Sequence, residues 1–366
     1  MPTMFPELQR ISRLLMEAEL KPVQGERFQP TGFADLGPAR YQLPDGTEML
    51  LVESAQSVAN RLESVCWDES EGDIHSALRG LPYVKINLGE LGTTTTIQEF
   101  HRLNSPYIWI GEIDDRGRRF RQDLMERIGI RTTAGKKAKR NDEDGGEDGI
   151  EVPGVLDLRK LAKAVFRYDP NSVLHGVFLE KLAGRLRLTR VLSGFIEANN
   201  VYVAESGGVK FDHVLPRAKD IGLDAKGGFG NVPFHRTEFT AEKITAYFNL
   251  DLALLRGYGL GEEATDLLIA LALFKIRRFL SDGLRLRTAC DLEPKNGLAV
   301  TRPSSLIVPD EKPLVETIQT KIAICHQQQL FAAPPVTEVT WEPRTRASIR
   351  SRREDDIGGS EDDLED

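Results

Sequence analysis

Apolar residues recur every three or four positions in six segments of the chain, and this spacing predicts amphipathic helices. The clearest segment is 55–67, where Val58, Ala59 and Leu62 share one face and Ser54 stands in the position of an N-cap. The predicted helices span residues 6–20, 55–67, 156–168, 172–182, 262–280 and 314–329.

Alternating apolar and polar residues predict strands between these helices. Segment 188–204 is rich in Val, Ile, Phe and Tyr, and it is predicted to turn at Ser206-Gly207-Gly208 and return through 209–215 as a long hairpin. Segment 239–255 fits either a helix or a strand. Shorter strands are predicted at 48–52, 83–88, 107–110 and 284–292. The chain mixes helices with hairpins and does not repeat a strand–helix–strand unit. This pattern predicts an α+β fold.

Two segments have too few apolar residues to build a core. Residues 134–149 are mostly Gly, Lys, Asp and Glu, so they are predicted to form a mobile insertion. Beyond Ala333 the chain is rich in Pro and Arg and then in Asp and Glu, which predicts a disordered tail over 334–366. The sequence therefore predicts one domain over 1–333, interrupted by the insertion, and then a tail.

The distribution of charge changes the meaning of the net charge of −8. Eight acidic residues and no basic residue lie in the last segment, 354–366, and the rest of the chain is formally neutral. A negative protein repels nucleic acid, whereas a neutral body with clustered arginines can bind it. The folded body is therefore expected to present basic surfaces.

The common catalytic and membrane signatures are missing. No segment reaches the roughly 20 apolar residues of a membrane span, and no secretory signal is recognised, so a cytoplasmic location is expected. The three cysteines lie far apart and the six histidines are scattered, which predicts no metal site and no cofactor. No phosphate loop, dinucleotide fingerprint, zinc protease motif or nucleophile elbow occurs. A non-enzymatic role is expected, although Asp212-His213 could supply a carboxylate and a base to RNA hydrolysis.

Polar and basic residues at four places are the candidates for binding RNA. The first turns of helix 55–67 carry a polar set, and helix N-termini attract phosphate; an N-cap with a solvated polar face explains the same residues. The glycine-rich loop after residue 225 interleaves rings and cations, as single-stranded RNA requires, but a plain mobile loop has the same composition. The arginines before the long hairpin and around Gly283 suit a phosphate backbone, but also a salt-bridged surface or a helix dipole. The candidates are Ser54, Gln56, Ser57, Asn60, Arg61, Arg185, Arg187, Arg190, Lys226, Phe229, His235, Arg236, Arg277, Arg278, Arg285 and Arg287.

Several longer motifs resemble those of one known family. They are residues 53–63 (ESAQSVANRLE), 101–108 (HRLNSPYI), 230–236 (GNVPFHR), 246–251 (AYFNLD) and 283–288 (GLRLRT). In these motifs the chain resembles the RAMP-superfamily backbone subunit of the type I-G (formerly type I-U) CRISPR surveillance complex. The resemblance runs from about residue 48 to about residue 292.

The resemblance implies a modified RRM-like, ferredoxin-like palm with inserted finger and thumb elements. It also implies a non-catalytic subunit of which several copies line up along one guide RNA. The partners would be the CRISPR guide RNA, the target DNA strand paired to it, other copies of the chain and other Cascade subunits, with no membrane. Because such a protein must carry any spacer, it should hold phosphate and sugar and leave the bases free. A ribonuclease acting on CRISPR RNA through His213 or His175 is the alternative.

Overall fold

The computed structural model describes residues 5–33, 36–114, 117–133, 149–151, 157–179, 186–215 and 217–341. The described α-helices are α1 (Ala55–Ser64), α2 (Pro106–Ile110), α3 (Phe120–Ile128), α4 (Leu158–Tyr168), α5 (Pro170–His175), α6 (Leu252–Gly257), α7 (Glu262–Asp282) and α8 (Glu311–Gln327). The described strands are β1 (Arg13–Pro22), β2 (Gly32–Phe33), β3 (Gly37–Pro38), β4 (Arg40–Gln42), β5 (Glu48–Glu53), β6 (Trp67–Asp68), β7 (Asp73–Ile74), β8 (Tyr83–Asn87), β9 (Thr93–Thr95), β10 (Arg131–Thr133), β11 (Gly149–Glu151), β12 (Val177–Leu179), β13 (Leu186–Leu188), β14 (Leu192–Lys210), β15 (Val232–Asp251), β16 (Arg285–Arg287), β17 (Cys290–Pro294), β18 (Ala299–Arg302) and β19 (Val336–Thr340).

The chain folds into two compact units, Met1–Arg79 with Arg190–Ile324 and Gly80–Thr189 with Cys325–Asp366. The first unit is built on an antiparallel sheet in the order β16, β17, β1, β15, β14, β5, β4, with β18 also paired to β1. The helices α1 and α7 cover one face of this sheet, where Phe248 of β15 meets Phe279 of α7 edge to face at 6.2 Å. The α+β class predicted from the sequence is confirmed, whereas the description as an RRM-like palm stays a prediction.

Strand β1 corrects the predicted helix at 6–20. Only a short 3-10 turn at Pro6–Leu8 precedes the strand, in which the buried residues are Leu14, Met16, Ala18 and Leu20. These positions alternate with half-buried ones, as in a strand with one covered face. β1 lies between β15 and β17, so its pairing partners, which are distant in sequence, decide its conformation.

The long hairpin is present, but its predicted turn is wrong. β14 runs straight through Ser206, Gly207 and Gly208 to Lys210 and pairs with β15 over its whole length. Segment 239–255, left open by the sequence, forms the end of β15 and then α6. Gly207 is needed because a Cβ there would lie 2.7 Å from the carbonyl oxygen of Phe234 on the opposite strand. Residues 201–210 and 232–241 pair with each other beyond the body of the sheet, and we call them the arm.

The second unit contains α2 to α5 and a sheet in the order β19, β8, β9, in which β19 is parallel to β8. Residues 106–110 form a helix, because Pro106 stands at its first position, and the strand predicted at 107–110 is therefore wrong. The helix predicted at 172–182 lies earlier, at 170–175, where Asp169 caps its start. The predicted tail begins too early, because β19 pairs over residues 336–340. Residues 134–148 of the insertion predicted at 134–149, and the end of the tail, 342–366, lie outside the described residues.

Gly194 gives a test of how tightly α1 packs on the sheet. A Cβ at this position would lie 2.8 Å from the Tyr247 carbonyl oxygen, 2.9 Å from the Phe248 ring and 3.1 Å from Val58 of α1. We expect Gly194→Ala to destabilise the protein by about 1–3 kcal/mol in urea unfolding, because strand and helix must move apart. The matched control is Gly297→Ala, where nothing lies within 4 Å of the added Cβ. Equal stability of the two variants would contradict the tight packing.

Candidate nucleic-acid interface

A buried carboxylate organises the candidate residues at the start of α1. Glu53 ends β5 and is only 1% exposed. It accepts a hydrogen bond from the hydroxyl of Ser57 and one from Nε of Arg61 at 3.1 Å, and it forms an ion pair with the guanidinium of Arg287. A buried carboxylate must be paired, so Ser57 and the two arginines serve the fold, and the arginines also carry charge.

The two arginines of this cluster are held by backbone carbonyls as well. Arg61 donates to the carbonyls of Arg285 and Leu286, and Nη1 of Arg287 donates to those of Gln29 at 3.1 Å and Val52 at 3.2 Å. Burial lowers the pKa of both guanidinium groups, because desolvation disfavours the charged form. Since both are about a quarter exposed, each can still present an edge to a ligand.

The remaining candidates near α1 form a chain of polar contacts. Ser54 caps the helix by accepting from the backbone N–H of Ser57 at 3.3 Å. Arg190 donates to the carbonyl of Ala55 at 3.0 Å and to Oε1 of Gln56 at 2.7 Å, and Gln56 donates to Asn60 at 3.1 Å. The structure thus brings Arg190, distant in sequence, to the N-terminus of α1.

Three arginines near Gly283 differ in their contacts: two bond to other groups of the protein, and one is exposed. Arg277 donates to the carbonyls of Val308 and Pro309, both at 2.5 Å. Arg278 pairs with Asp282 at 2.7 Å and Glu311 at 3.7 Å. Arg285 is exposed on β16, two residues from Arg287 on the same strand. It is therefore the cation of this group that a phosphate reaches most easily.

The glycine-rich loop leads into the arm. Lys226 and Phe229 are exposed in the loop, with Phe229 at 46%. In the arm, Nε2 of His235 lies 2.6 Å from the carboxylate of Glu205, and both side chains are more than half exposed. Arg236 lies beside the buried Glu238 at 3.6 Å.

A groove of about 700 Å³ joins the arm to the cluster around Glu53. One wall is formed by Phe234, His235, Arg236 and Thr237, and Arg287 also lines the groove. The other wall comes from residues 29–32 and 37–38, which carry the small hairpin of β2 and β3. Phe28 holds this wall to the arm by two backbone hydrogen bonds with Phe239, each 2.9 Å long.

The groove combines an exposed ring with guanidinium groups. Glu238 is 6% exposed and is shared by two of them, those of Arg27 at 3.1 Å and Arg236 at 3.6 Å, and a second carboxylate, that of Glu205, lies beside His235. The ring of Phe234 is 48% exposed, and the guanidinium carbon of Arg236 lies 5.8 Å from its centroid. A ring for a base and cations for phosphates are what single-stranded nucleic acid requires.

Sequence reasoning counted Phe234 among the rings interleaved with basic residues in this loop but left it off the list of RNA-binding candidates, and it missed Arg27. Phe234 lies in the motif 230–236, directly before His235 and Arg236. Arg27 gave no signal, because its link to Glu238 exists only in the folded chain.

Of the two remaining predicted arginines, one is described. Arg187 lies in the second unit, on β13, with its guanidinium carbon 5.0 Å from the ring centroid of Phe178 on the paired strand β12. Arg185 lies outside the described residues.

Among the described residues, no hydrogen bond or ion pair joins Asp212 to His213, the pair considered for the alternative ribonuclease. The carboxylate of Asp212 accepts from the backbone N–H groups of Val214 at 2.9 Å and Leu215 at 2.7 Å, and these contacts lower its pKa. His175 is 2% exposed in the second unit. Across the described ranges, no group of three or more His, Cys, Asp or Glu side chains is placed to hold a metal ion. Within the same ranges, no helix is long and apolar enough to cross a membrane.

Comparison with known proteins identifies one family. The family model of CRISPR-associated protein GSU0053 matches residues 14–203, a little more than half of the 366 residues. No curated protein matches the chain.

Among solved structures, a chain of a "CRISPR RNA-guided surveillance complex, pre-nicking" is 13% identical and has a TM-score of 0.43, with 86% of this chain and 89% of that chain covered. Csc2 of Thermofilum pendens is 8% identical and has a TM-score of 0.30, with 89% of this chain and 78% of that chain covered. TM-scores below 0.5 support no conclusion about function.

Proposed function

The chain belongs to the family of CRISPR-associated protein GSU0053, and from this premise we propose that it is a non-catalytic backbone subunit that binds CRISPR guide RNA. The complex would be a type I-G CRISPR surveillance complex in the cytoplasm. The groove between Phe234, Arg236 and Arg287 carries the proposal, because it places an exposed ring among cations in a chain whose net charge is −8.

The chemistry of the groove favours single-stranded RNA held without regard to sequence. Phe234 offers a face on which any base stacks, and Arg236 offers charge to the phosphates. Arg285, and Arg190 at the N-terminus of α1, add positive charge on the side of Arg287. A subunit that grips backbone in this way leaves the Watson–Crick edges free for the target DNA strand.

The arm supports assembly of several copies. Tyr202, Val209 and Phe211 lie on it or at its tip and are 72%, 43% and 68% exposed. Exposed aromatic side chains on a hairpin that extends beyond the sheet are available to contact another molecule. In the proposed complex the arm corresponds to the thumb of an RRM-like palm, and it contacts the guide RNA, the neighbouring copy or another Cascade subunit.

The experiment is purification of the chain after co-expression with its guide RNA and partner subunits. We expect gel filtration to give a large particle whose absorbance shows bound RNA. Elution as an RNA-free monomer under these conditions would rule out the backbone role. Incubating the purified chain with guide RNA, with and without divalent metal, tests the ribonuclease alternative: we expect intact RNA, and specific cleavage would replace the proposal.

A further inference from the structure

The helix α4 of the second unit carries a row of basic side chains. Arg159, Lys163 and Arg167 follow one another at intervals of four residues, which places them on one face of the helix, and Lys160 lies beside the first two. Arg159, Lys160 and Lys163 are exposed, and Arg167 is half-buried. We call these four residues the basic row. The helix Leu158–Tyr168 contains no acidic residue.

The charges of the basic row are not neutralised within the described part of the chain. Arg159, Lys160 and Lys163 form no ion pair there. Arg167 donates from Nη1 to a backbone carbonyl, that of Gln329, at 3.2 Å, and this contact leaves its charge unbalanced.

The acidic residues near α4 are engaged elsewhere. The helix α3 packs against α4, and its Asp123 and Glu126 pair with Arg118 at 2.8 and 2.7 Å. Asp123 also pairs with Arg127 at 2.8 Å. The exposed Asp157 is the N-cap of α4 and accepts the backbone N–H of the third residue of its turn at 2.9 Å. One carboxylate at the end of the helix thus faces four cations.

The position of the row is unfavourable for the helix itself. Arg159 and Lys160 lie in the first turn of α4, where the positive end of the helix dipole disfavours cations. These two charges therefore do not serve the fold. A phosphate at this end of the helix would interact favourably with the cations and with the dipole.

The chemistry of the row favours a polyanion. Arg159, Lys163 and Arg167 are spaced about 6 Å apart along the helix axis. A nucleic-acid duplex carries one charge per about 1.7 Å of its axis, so a straight row of cations meets several phosphates at once. A partner protein would require apolar surface at the centre of the contact, whereas the exposed apolar side chain of α4 is Leu158 at its end, which is 53% exposed.

The same face favours double-stranded DNA over RNA. Proteins hold single strands by interleaving rings with cations, but the aromatic residues of α4, Phe166 and Tyr168, are buried. The major groove of B-DNA is about 12 Å wide and admits a helix, whereas that of duplex RNA is too narrow for side chains to enter.

We propose that α4 binds the phosphate backbone of double-stranded DNA through the basic row. Binding is independent of base sequence, because phosphate contacts carry no sequence information. It uses no residue of the guide-RNA groove and needs no guide RNA, so it stands apart from the proposed function.

Fluorescence anisotropy of the full-length chain with a labelled duplex DNA of mixed sequence tests the proposal. The variant is Arg159→Gln/Lys163→Gln. Gln has nearly the helix propensity of Arg and Lys, so α4 should form equally well, and circular dichroism checks this. We expect the affinity to fall about tenfold or more at about 50 mM salt, and the slope of log affinity against log salt to fall by about 2, because two phosphate contacts are lost.

The matched control is Arg79→Gln/Lys312→Gln, which removes one exposed arginine and one exposed lysine outside α4. It should keep the wild-type affinity for duplex DNA. An equal loss in the two variants would trace the binding to the charge of the whole chain and overturn the proposal.

The choice of ligand is tested with the same α4 variant. Arg159→Gln/Lys163→Gln should keep the wild-type affinity for single-stranded RNA, and an equal loss for this ligand would assign the row to guide RNA. Duplex RNA that binds as tightly as duplex DNA, or polyglutamate that competes as well as DNA, would assign it to RNA or to an acidic partner protein. Each of these three results overturns binding to DNA.

Discussion

Replacing Arg287 with alanine is expected to destabilise the protein by about 3 kcal/mol, because it leaves a buried carboxylate with a single cationic partner. Glu53 is 1% exposed, and Arg61 alone would remain to pair with it. The loss also removes a donor from the carbonyls of Gln29 and Val52, which Arg287 joins at the groove. This is a large part of a typical domain stability of about 5–15 kcal/mol. Urea unfolding followed by circular dichroism measures it.

The matched control lies on the same strand. Arg285 is the same residue type two positions away, exposed on β16, and its replacement by alanine should change the free energy of unfolding by less than about 0.5 kcal/mol. Arg285→Ala should nevertheless weaken RNA binding, because its charge is free to meet phosphate. If both variants lose the same stability, the buried ion pair is not the cause. The comparison also shows why RNA-binding assays on Arg287→Ala or Arg61→Ala require a folded-state check.

Replacing Phe234 with alanine is expected to weaken binding of single-stranded RNA about tenfold to a hundredfold, because stacking a base on a ring contributes about 1–3 kcal/mol. The ring is 48% exposed, so the fold should be little affected. Fluorescence anisotropy with unrelated spacer sequences measures the affinity, and the loss should be similar for all of them. A loss confined to one spacer would indicate base readout and contradict backbone binding.

Arg236→Ala separates charge from stacking at the same groove. It should lower the slope of log affinity against log salt by about 1, whereas Phe234→Ala should leave this slope unchanged. Glu238 keeps Arg27 as a partner in the arginine variant, at 3.1 Å. The matched control for Phe234→Ala is Phe100→Ala, which removes a ring that is 68% exposed and is not among the residues that line the groove. Unchanged RNA affinity in both groove variants would exclude the groove as the interface.

Local patterns were sufficient where a helix has both a clear apolar face and a clear boundary. The helix predicted at 55–67 is α1 (Ala55–Ser64), and it was found because Ser54 caps it and Val58, Ala59 and Leu62 lie on its buried face. The helix at 262–282 was found for a similar reason, its apolar run being followed by Gly283. The motifs 53–63, 230–236 and 283–288 also contain residues that meet at the groove and the Glu53 cluster.

Patterns failed where the partner of a segment is distant in sequence. Segment 6–20 has apolar residues at both helical and alternating spacing, and the register with β15, about 230 residues later, decides for a strand. The tail was predicted from composition, yet Val336–Thr340 pairs with β8, because a short strand needs only an open edge.

The sequence by itself determined the fold class, the main helices and a family resemblance, because these depend on local spacing and on motifs read directly from the chain. Only the tertiary structure decided what each arginine does. Arg61, Arg287 and Arg285 look equivalent in the sequence, but a carboxylate buried by the fold engages the first two and leaves the third to solvent. Whether the charge of an arginine can meet a ligand depends on the groups within a few ångströms of it. Chain folding brings those groups together from distant positions in the sequence.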